Sequence, residues 1–277
     1  MPVQRDIQAL VRSNAENFPV GSWLLPARAR QGILHFYGFA RNADDIADAT
    51  DMPAEEKIRQ LTALYNAVEN GDVAAAPDWA QHYITDTLVG KSDKRHGLAL
   101  LSAFLQDANQ SRYATLADLH DYCARSATPV GRVVLELSGE KNADLAAADA
   151  ICTALQILNH IRDAGKDYLE LNRVYLPQNW LAEAGISESA LAATHCSPAL
   201  REVLDKALTD CDRLLAHGAA LPRTLRYLRL RLEIALTLEL AHALRRRLAM
   251  DDPLAKRIRI PSWHWPLLLV KGIRRLW

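Results

Sequence analysis

The chain has 277 residues, of which 49% are hydrophobic and 24% charged, with 33 basic and 33 acidic side chains. This length allows one large or two small domains with a substantial core, and high hydrophobic content with zero net charge argues against a disordered chain. The neutral balance also disfavours a nucleic-acid-binding protein, and 12 Gly and 12 Pro are few for an all-β protein with many tight turns.

The hydrophobic pattern is helical along most of the chain. It predicts a long helix over residues 26–49, opened by Pro26, and a second that starts at Pro53 and ends before Gly71. Further helices are expected from Leu98 to Asn109, from an N-cap at Thr115 to Ser138, from Ala143 to Leu171, from Pro198 to His217, and from Pro222 to Met250. Since no strand series, repeat or low-complexity linker is found, we predict an all-α fold with one domain over residues 1–260.

The cysteines and the N-terminal segment bear on the compartment. Four widely spaced cysteines form no CxxC pair, which argues against a zinc ribbon or a thioredoxin-type site and favours reduced thiols. The first residues contain no apolar stretch typical of a signal peptide, and no apolar run reaches the ~20 residues that span a bilayer. We therefore expect a cytoplasmic protein, soluble or peripheral on the inner face of the cytoplasmic membrane.

Charge is divided unevenly along the chain. Residues 223–277 hold 13 Lys/Arg and four Asp/Glu, whereas residues 1–222 hold 20 and 29. We expect the arginines between Arg223 and Arg247 to form a solvated helix face with some phosphate or lipid contacts. The tail over residues 261–277 mixes tryptophans and leucines with Lys271, Arg274 and Arg275, a composition typical of a membrane-surface segment. The alternative is a C-terminal helix that simply packs on the domain, and both stay open.

The first acidic cluster is Asp44-Asp45-Ile46-Ala47-Asp48. On a helix, Asp44 and Asp48 share a face, and Arg41 and Tyr37 extend that stripe backwards. Like charges at this spacing destabilise a helix unless a cation binds between them, and carboxylates in an apolar helix are costly unless they are paired or metal-bound.

A second stripe of oxygen-bearing side chains follows about 120 residues later, formed by Gln156, Asn159, Asp163 and Asp167. Carboxylate and amide oxygens are the ligands that Mg²⁺ prefers. Two such stripes facing each other across a cavity would hold metal ions together with a ligand's phosphates. A single DxxxD is more often a solvated helix face, but two on apolar helices favour a metal site. The lone Glu239-x-x-His242 is expected to be a structural pair, since di-iron proteins use two such motifs.

Three motifs occur in order: Tyr37-x-x-x-Arg41-x-x-Asp44-Asp45-x-x-Asp48, Asn159-x-x-x-Asp163-x-x-x-Asp167 and Arg173-Val174-Tyr175-Leu176-Pro177. With them the chain resembles the squalene/phytoene synthase family, from about Asn14 to Ala255. The resemblance implies a single-domain isoprenoid synthase bundle of helices around a central apolar cavity. It also implies Mg²⁺-dependent chemistry on a prenyl diphosphate, with Mn²⁺ as a possible substitute.

Two further segments, residues 17–20 and 122–131, are similar to the HpnC branch of this family, which serves bacterial hopanoid biosynthesis. That branch implies ionisation of presqualene diphosphate and capture of the rearranged cation by water, giving hydroxysqualene without NADPH. It also implies functional coupling to a presqualene diphosphate synthase and to a flavin-dependent hydroxysqualene reductase.

The resemblance implies roles for individual residues. Asp44, Asp48, Asp163 and Asp167 would bind metal with Asn159, and these four aspartates and Tyr37 would be the catalytic residues. Arg41 would bind the diphosphate of the substrate, and Gln156 would lie at the same end of the cavity. Arg173 and Tyr175 would close over the leaving group. Phe18 and Tyr122 would also contact the substrate, and the apolar wall would include Leu24 and the helix that contains the valines at 130, 133 and 134.

One departure from the family pattern concerns the first reaction step. Many relatives that condense two prenyl diphosphates have a second aromatic residue two positions after Tyr122, where this chain has Ala124. This favours the second step. The alternatives are condensation of two farnesyl diphosphates to presqualene diphosphate or squalene, a phytoene synthase-like activity, and a non-catalytic helical partner of a membrane-bound isoprenoid pathway. The intact stripes argue against the last.

Overall fold

The structure is a computed structural model that describes Leu25 and residues 27–276. These residues are mostly helical, and one isolated bridge joins Arg112 to Val174. The α-helices of the described part are α1 (Ala27–Asp48), α2 (Ala54–Asn70), α3 (Asp78–Leu88), α4 (Lys94–Asp107), α5 (Leu116–Ser126), α6 (Thr128–Ser138), α7 (Leu145–Leu171), α8 (Gln178–Glu183), α9 (Pro198–Gly218), α10 (Leu221–Thr224), α11 (Leu228–Met250) and α12 (Trp265–Arg275). The predicted all-α fold is confirmed.

Most predicted helix ends are set by local signals. Gly71 ends α2 in the left-handed conformation, with φ 67°, which glycine adopts without strain. Thr115 caps α5 through a capping box with Asp118. Helix α4 begins at Lys94, earlier than predicted, because the Asp93 side chain accepts a hydrogen bond from the Arg95 N–H at 2.9 Å.

Two predicted long helices are each divided in the structure. The helix expected from Thr115 to Ser138 breaks at Ala127, since Pro129 has no N–H and its ring displaces the carbonyl four residues back. The helix expected from Pro222 to Met250 is also wrong, because the short α10 ends at Thr224 and α11 starts only at Leu228. The Glu140 carboxylate accepts hydrogen bonds of 2.9–3.0 Å from the N–H groups of residues 226 and 227, which holds the chain extended between them.

Two helices were not predicted from the sequence. Helix α3 follows Pro77 and starts with Asp78. A proline and an acidic residue at this position favour a helix start, but they do not contribute to hydrophobic periodicity. Helix α8 follows Pro177 and has six residues, too few to show a helical period.

Helix α7 runs through the main core, where glycines allow close approach of its neighbours. A Cβ at Gly131 of α6 would lie 2.6 Å from the Cys152 Sγ, and one at Gly218 of α9 would lie 3.0 Å from the Ala147 carbonyl oxygen. These distances are shorter than ordinary carbon contacts, so both positions need glycine. All four cysteines are free thiols, as expected.

The tail helix α12 packs on α11. Leu268, Gly272 and Leu276 are buried there, and a Cβ at Gly272 would lie 3.4 Å from the Leu236 nitrogen. Arg275 donates two hydrogen bonds to one Glu239 oxygen at 3.0 and 2.7 Å, so Glu239 of the Glu239-x-x-His242 motif has a structural role, but its partner is Arg275 and not His242.

The end of α12 is held by two arginines of the basic run. Arg223 donates to the carbonyl oxygen of Arg275 at 3.0 Å, and Arg231 donates to that of Leu276 at 2.9 Å. These carbonyls have no partner within their own helix. Arg223 is exposed, as predicted for a solvated face, whereas Arg231 is partly buried, and both fix the tail helix to the domain.

Candidate active site

A cavity of about 360 Å³ lies between α1, α4, α5, α6, α7 and α11, within the range of ligand pockets. Along α7 its wall runs from Ala148 to Asn159, about 16 Å at a rise of ~1.5 Å per residue. Its polar end is formed by Tyr37, Arg41, Asp44, Gln156 and Asn159, and its apolar end by Ile33, Phe36, Val130, Val134, Ile151 and Leu155. The cavity therefore offers a hydrocarbon chamber with a charged end.

The first acidic stripe is paired with arginines. Arg41 lies 3.2 Å from an Asp44 oxygen and 3.1 Å from an Asp45 oxygen. Asp48 forms a close ion pair with Arg173, which is buried and also donates to the Ala47 carbonyl oxygen at 3.0 Å. Since Asp45 is 54% exposed and Asp44 33%, Asp45 lies on the solvent side of the stripe and Asp44 on the cavity side.

The second stripe includes an arginine that the sequence analysis did not identify. Arg162, whose side chain is 9% exposed, donates to both Asp163 oxygens at 2.9 and 2.5 Å. Arg162 directly precedes Asp163 in the sequence, so its position next to a motif aspartate could have indicated the ion pair. The helix carries Asp163 and Asp167 past Asn159, beyond the part of α7 that lines the cavity.

The pKa values of two stripe carboxyls, one in each stripe, are raised. Burial, and next the charge of Asp48, raises the pKa of Asp44 to about 8. Burial, and next the charges of Asp163 and Asp48, raises the pKa of Asp167 to about 7. Asp48 acts on carboxyls of both stripes, so the two stripes meet at one end of the bundle, as the sequence analysis predicted.

The donors suit a hard divalent cation. Carboxylates that repel one another in a partly buried position are stabilised when such a cation binds between them. Within residues 27–276, no three His, Cys, Asp or Glu side chains already converge on a single point as a formed metal site. The oxygen donors and the raised pKa values therefore fit a cation that binds together with an anionic ligand.

A buried group of rings supports the polar end. The Tyr122 hydroxyl donates to an Asp107 oxygen at 2.7 Å, and burial raises the pKa of Asp107 to about 7 although Arg173 lowers it. The Tyr175 ring stacks on His160 with centroids 3.5 Å apart, and burial lowers the pKa of His160 to about 3. Neither Asp107 nor His160 belongs to a sequence motif, so neither was predicted.

The predicted site residues fall into four places, of which one holds Asp163 and Asp167, beyond the part of α7 that lines the apolar cavity. Tyr37, Arg41, Asp44, Tyr122, Gln156 and Asn159 line the apolar cavity. Asp48 and Arg173 line a second, polar cavity of about 350 Å³, to which Asp107 and Lys57 also contribute. Tyr175 is buried among rings, while Phe18 and Leu24 lie outside the described residues.

Comparison with known proteins agrees with this geometry. The squalene/phytoene synthase family model matches residues 11–264. A hydroxysqualene synthase of Sinorhizobium fredii is 39% identical over 259 residues, which cover 93% of this chain and 87% of that protein. A hydroxysqualene synthase of Rhodopseudomonas palustris is 39% identical over 245 residues, covering 88% and 83%.

A solved structure gives the same result at the level of the fold. The squalene synthase HpnC of Alicyclobacillus acidocaldarius superposes with a TM-score of 0.76 at 27% identity, over 90% of this chain and 95% of that one. Sequence, site geometry and fold therefore lead to one assignment: the chain belongs to the squalene/phytoene synthase family.

Proposed function

We propose that this chain converts presqualene diphosphate and water into hydroxysqualene and inorganic diphosphate. The observation that carries the proposal is the junction of two acidic stripes with an apolar cavity in one site. The similarity to two hydroxysqualene synthases, each over more than four fifths of both chains, supports this product over the others. The reaction involves no net reduction, so no NADPH is required.

The charged end accounts for loss of the diphosphate. Asp44, Asp48, Asp163 and Asp167, with Asn159, would hold Mg²⁺, or Mn²⁺ in its place. Bound there, the ions would neutralise the negative charge that develops on the leaving group. Arg41 and Arg173, which contact stripe carboxylates in this structure, would bind the diphosphate oxygens. Such fixed charges act most strongly where water is excluded.

The apolar end accounts for survival of the cation. Its walls are aliphatic and aromatic, so the two hydrocarbon arms would fill it and exclude bulk water during rearrangement. Tyr37 and Gln156 line the polar end and Tyr122 also contributes to the wall, and the Tyr175 ring packs against Tyr122 with ring centroids 5.7 Å apart.

The test is incubation of the purified protein with Mg²⁺ and presqualene diphosphate, without NADPH, followed by product analysis. We expect hydroxysqualene. Asp163→Ala should lower turnover by about 10²–10³-fold, the usual cost of losing one electrostatic contact to a transition state, with helical circular dichroism unchanged. Asp205→Ala, which removes an exposed ion-paired aspartate of α9, is the matched control. Turnover of farnesyl diphosphate to presqualene diphosphate would instead support a condensing enzyme.

We also propose that the tail contacts a membrane surface. No described helix is long and apolar enough to cross a bilayer. The face of α12 opposite the packed one exposes Leu267, Leu269, Val270 and Ile273 by 41–51%, and Trp263 before it is 74% exposed. With Lys271 and Arg274 exposed on its flank, this face suits an anionic lipid surface.

Point substitution tests the membrane contact better than removal of the tail. Deletion would uncover Leu236 and Leu240 and leave the buried Glu239 without Arg275. Leu267→Ser should weaken sedimentation with phosphatidylglycerol-containing vesicles but not alter it with pure phosphatidylcholine. Leu88→Ser, at a leucine of α3 that is more exposed than Leu267, should leave both unchanged, and equal effects of the two substitutions would contradict the proposal.

Substrate supply and product use imply two further enzymes. Presqualene diphosphate must come from a presqualene diphosphate synthase, and hydroxysqualene would be reduced by a flavin-dependent reductase. Because both compounds are C30 lipids, contact of the tail with a membrane would place this chain where they accumulate.

A further inference from the structure

The cavity wall holds an unsatisfied hydroxyl. Ser126 lines the cavity, and its Oγ is buried without a hydrogen-bond partner among the described residues. A buried hydroxyl that makes no hydrogen bond is disfavoured, because it loses its contacts with water on folding. Such a group in a ligand cavity is satisfied when a ligand or a bound water reaches it.

The hydroxyl of Ser126 differs from that of its neighbour Thr128. Serine and threonine in helices commonly bond to the carbonyl four residues earlier, and Thr128 does so with Ala124 at 2.7 Å. Ser126 is the last residue of α5, followed by Ala127 outside helical geometry, and its hydroxyl makes no such bond. The hydroxyl therefore has no partner within the described residues, and it reaches the cavity by rotation of its side chain, because its Oγ atom is itself buried.

Ser126 lies where the charged and apolar ends of the cavity meet. It follows Tyr122 by one helical turn on the same face, and the Tyr122 ring lies 6.1 Å from that of His160. Beyond it, Gly131 contacts Cys152. Ser126 thus faces the part of α7 between Cys152 and His160, which includes Gln156.

This position matches the reacting carbons of the proposed substrate. If the diphosphate lies at the charged end and the hydrocarbon arms at the apolar end, the carbons that form the cation lie at the border. Water must reach them there, where the lining is mostly apolar but also includes Gln156, Glu233 and Thr237. A bound water needs two or more polar partners, and the Ser126 hydroxyl offers one of them opposite the part of α7 that carries Gln156.

We propose that Ser126 binds and orients the water molecule that captures the cation, which makes it a positioning residue for the hydroxyl group of the product. The proposal rests on the hydroxysqualene-forming activity proposed above. The Ser126 Oγ accepts a hydrogen bond from the water, whose oxygen keeps its lone pairs for the cation. The carbon–diphosphate bond breaks with its electron pair on diphosphate, the water oxygen forms the new carbon–oxygen bond, and its proton passes to the released diphosphate. No oxidant or reductant is consumed.

The test uses the full chain with Mg²⁺ and presqualene diphosphate in water labelled with ¹⁸O, and compares hydroxylated with non-hydroxylated C30 products. Ser126→Ala should lower the ratio of labelled alcohol to alkene by about tenfold, the effect of one lost hydrogen bond. Consumption of presqualene diphosphate should change by less than about threefold, because leaving-group ionisation does not use this hydroxyl. Ser126→Thr, which keeps a hydroxyl, should restore most of the alcohol.

Ser102→Ala is the matched control. Ser102 has intermediate exposure like Ser126, but its hydroxyl donates to the Ala99 carbonyl oxygen at 2.7 Å and lies outside the cavity. An unchanged product ratio in Ser126→Ala, or an equal fall in Ser102→Ala, overturns the assignment of Ser126 while the proposed function stands. Absence of alcohol with the unaltered chain overturns both.

Discussion

Removal of the Tyr122 hydroxyl tests the electrostatics of the site. In Tyr122→Phe, Asp107 loses a 2.7 Å hydrogen bond, while its other oxygen already has no partner among the described residues. Asp107 is buried, and its pKa is about 7. The cost of the substitution therefore depends on whether Asp107 is ionised.

The size of this effect follows from the pKa. At pH ~6 Asp107 is about nine-tenths protonated, and loss of a hydrogen bond between neutral groups costs about 0.5–1.5 kcal/mol. At pH ~8.5 it is mostly ionised, and loss of a hydrogen bond to a charged group costs about 1.5–3 kcal/mol. The hydroxyl lowers the pKa of Asp107, so its removal raises that pKa further. The difference in stability between the two proteins should therefore grow by about 1 kcal/mol as pH rises above 7.

The assay is urea unfolding of both proteins at the two pH values, without divalent cations. Tyr113→Phe is the control, because the Tyr113 hydroxyl is buried without a partner among the described residues. Its removal should be neutral or slightly stabilising at both pH values. Equal destabilisation by Tyr122→Phe at both pH values, or equal effects of the two substitutions, would refute the assignment of charge to Asp107.

Three further predictions concern packing and charge. Arg275→Met should lower the free energy of unfolding by about 2 kcal/mol, because Glu239 is left buried without its cation; Arg274→Met, at an exposed neighbour, should cost little. Gly218→Ala should cost about 1–3 kcal/mol by urea unfolding, since its Cβ would lie 2.3 Å from a side-chain carbon of α7. The pKa values of Asp44 and Asp167 are higher in the folded protein than in the unfolded chain, so the folded protein must lose protons from these carboxyls as pH rises. The chelator-treated protein should therefore melt at lower temperature at pH ~9 than at pH ~6. Asp44→Asn should reduce that difference, and a flat profile in the unaltered protein would contradict the raised values.

The sequence predicted what depends on local spacing. The residues of each stripe are three or four positions apart, so helical geometry alone places Asp44 beside Asp48 and Asp163 beside Asp167. The caps at Gly71 and Thr115 were equally local, since each helix end is decided within a few residues.

Features that depend on distant contacts could not be predicted in this way. The extended turn before α11 is held by Glu140, which lies 86 residues from Arg226 in the sequence. Asp107 becomes a site residue only because folding brings it to Tyr122 and Arg173. No spacing rule connects such residues, so their roles emerge from packing.

The arginines beside the stripes have a consequence for how two ligands of the site affect each other's binding. Arg41, Arg162 and Arg173 each contact one stripe aspartate, so the free protein supplies its own counter-ions to this cluster. On the proposed function, a divalent cation bound by the carboxylates would free these guanidinium groups for diphosphate, and diphosphate bound by the guanidinium groups would free the carboxylates. Each ligand should therefore raise the affinity for the other by the same factor. On the proposed function, binding of the cation and the diphosphate would replace the ion pairs between these arginines and aspartates. The same ion pairs would form again when the product diphosphate leaves.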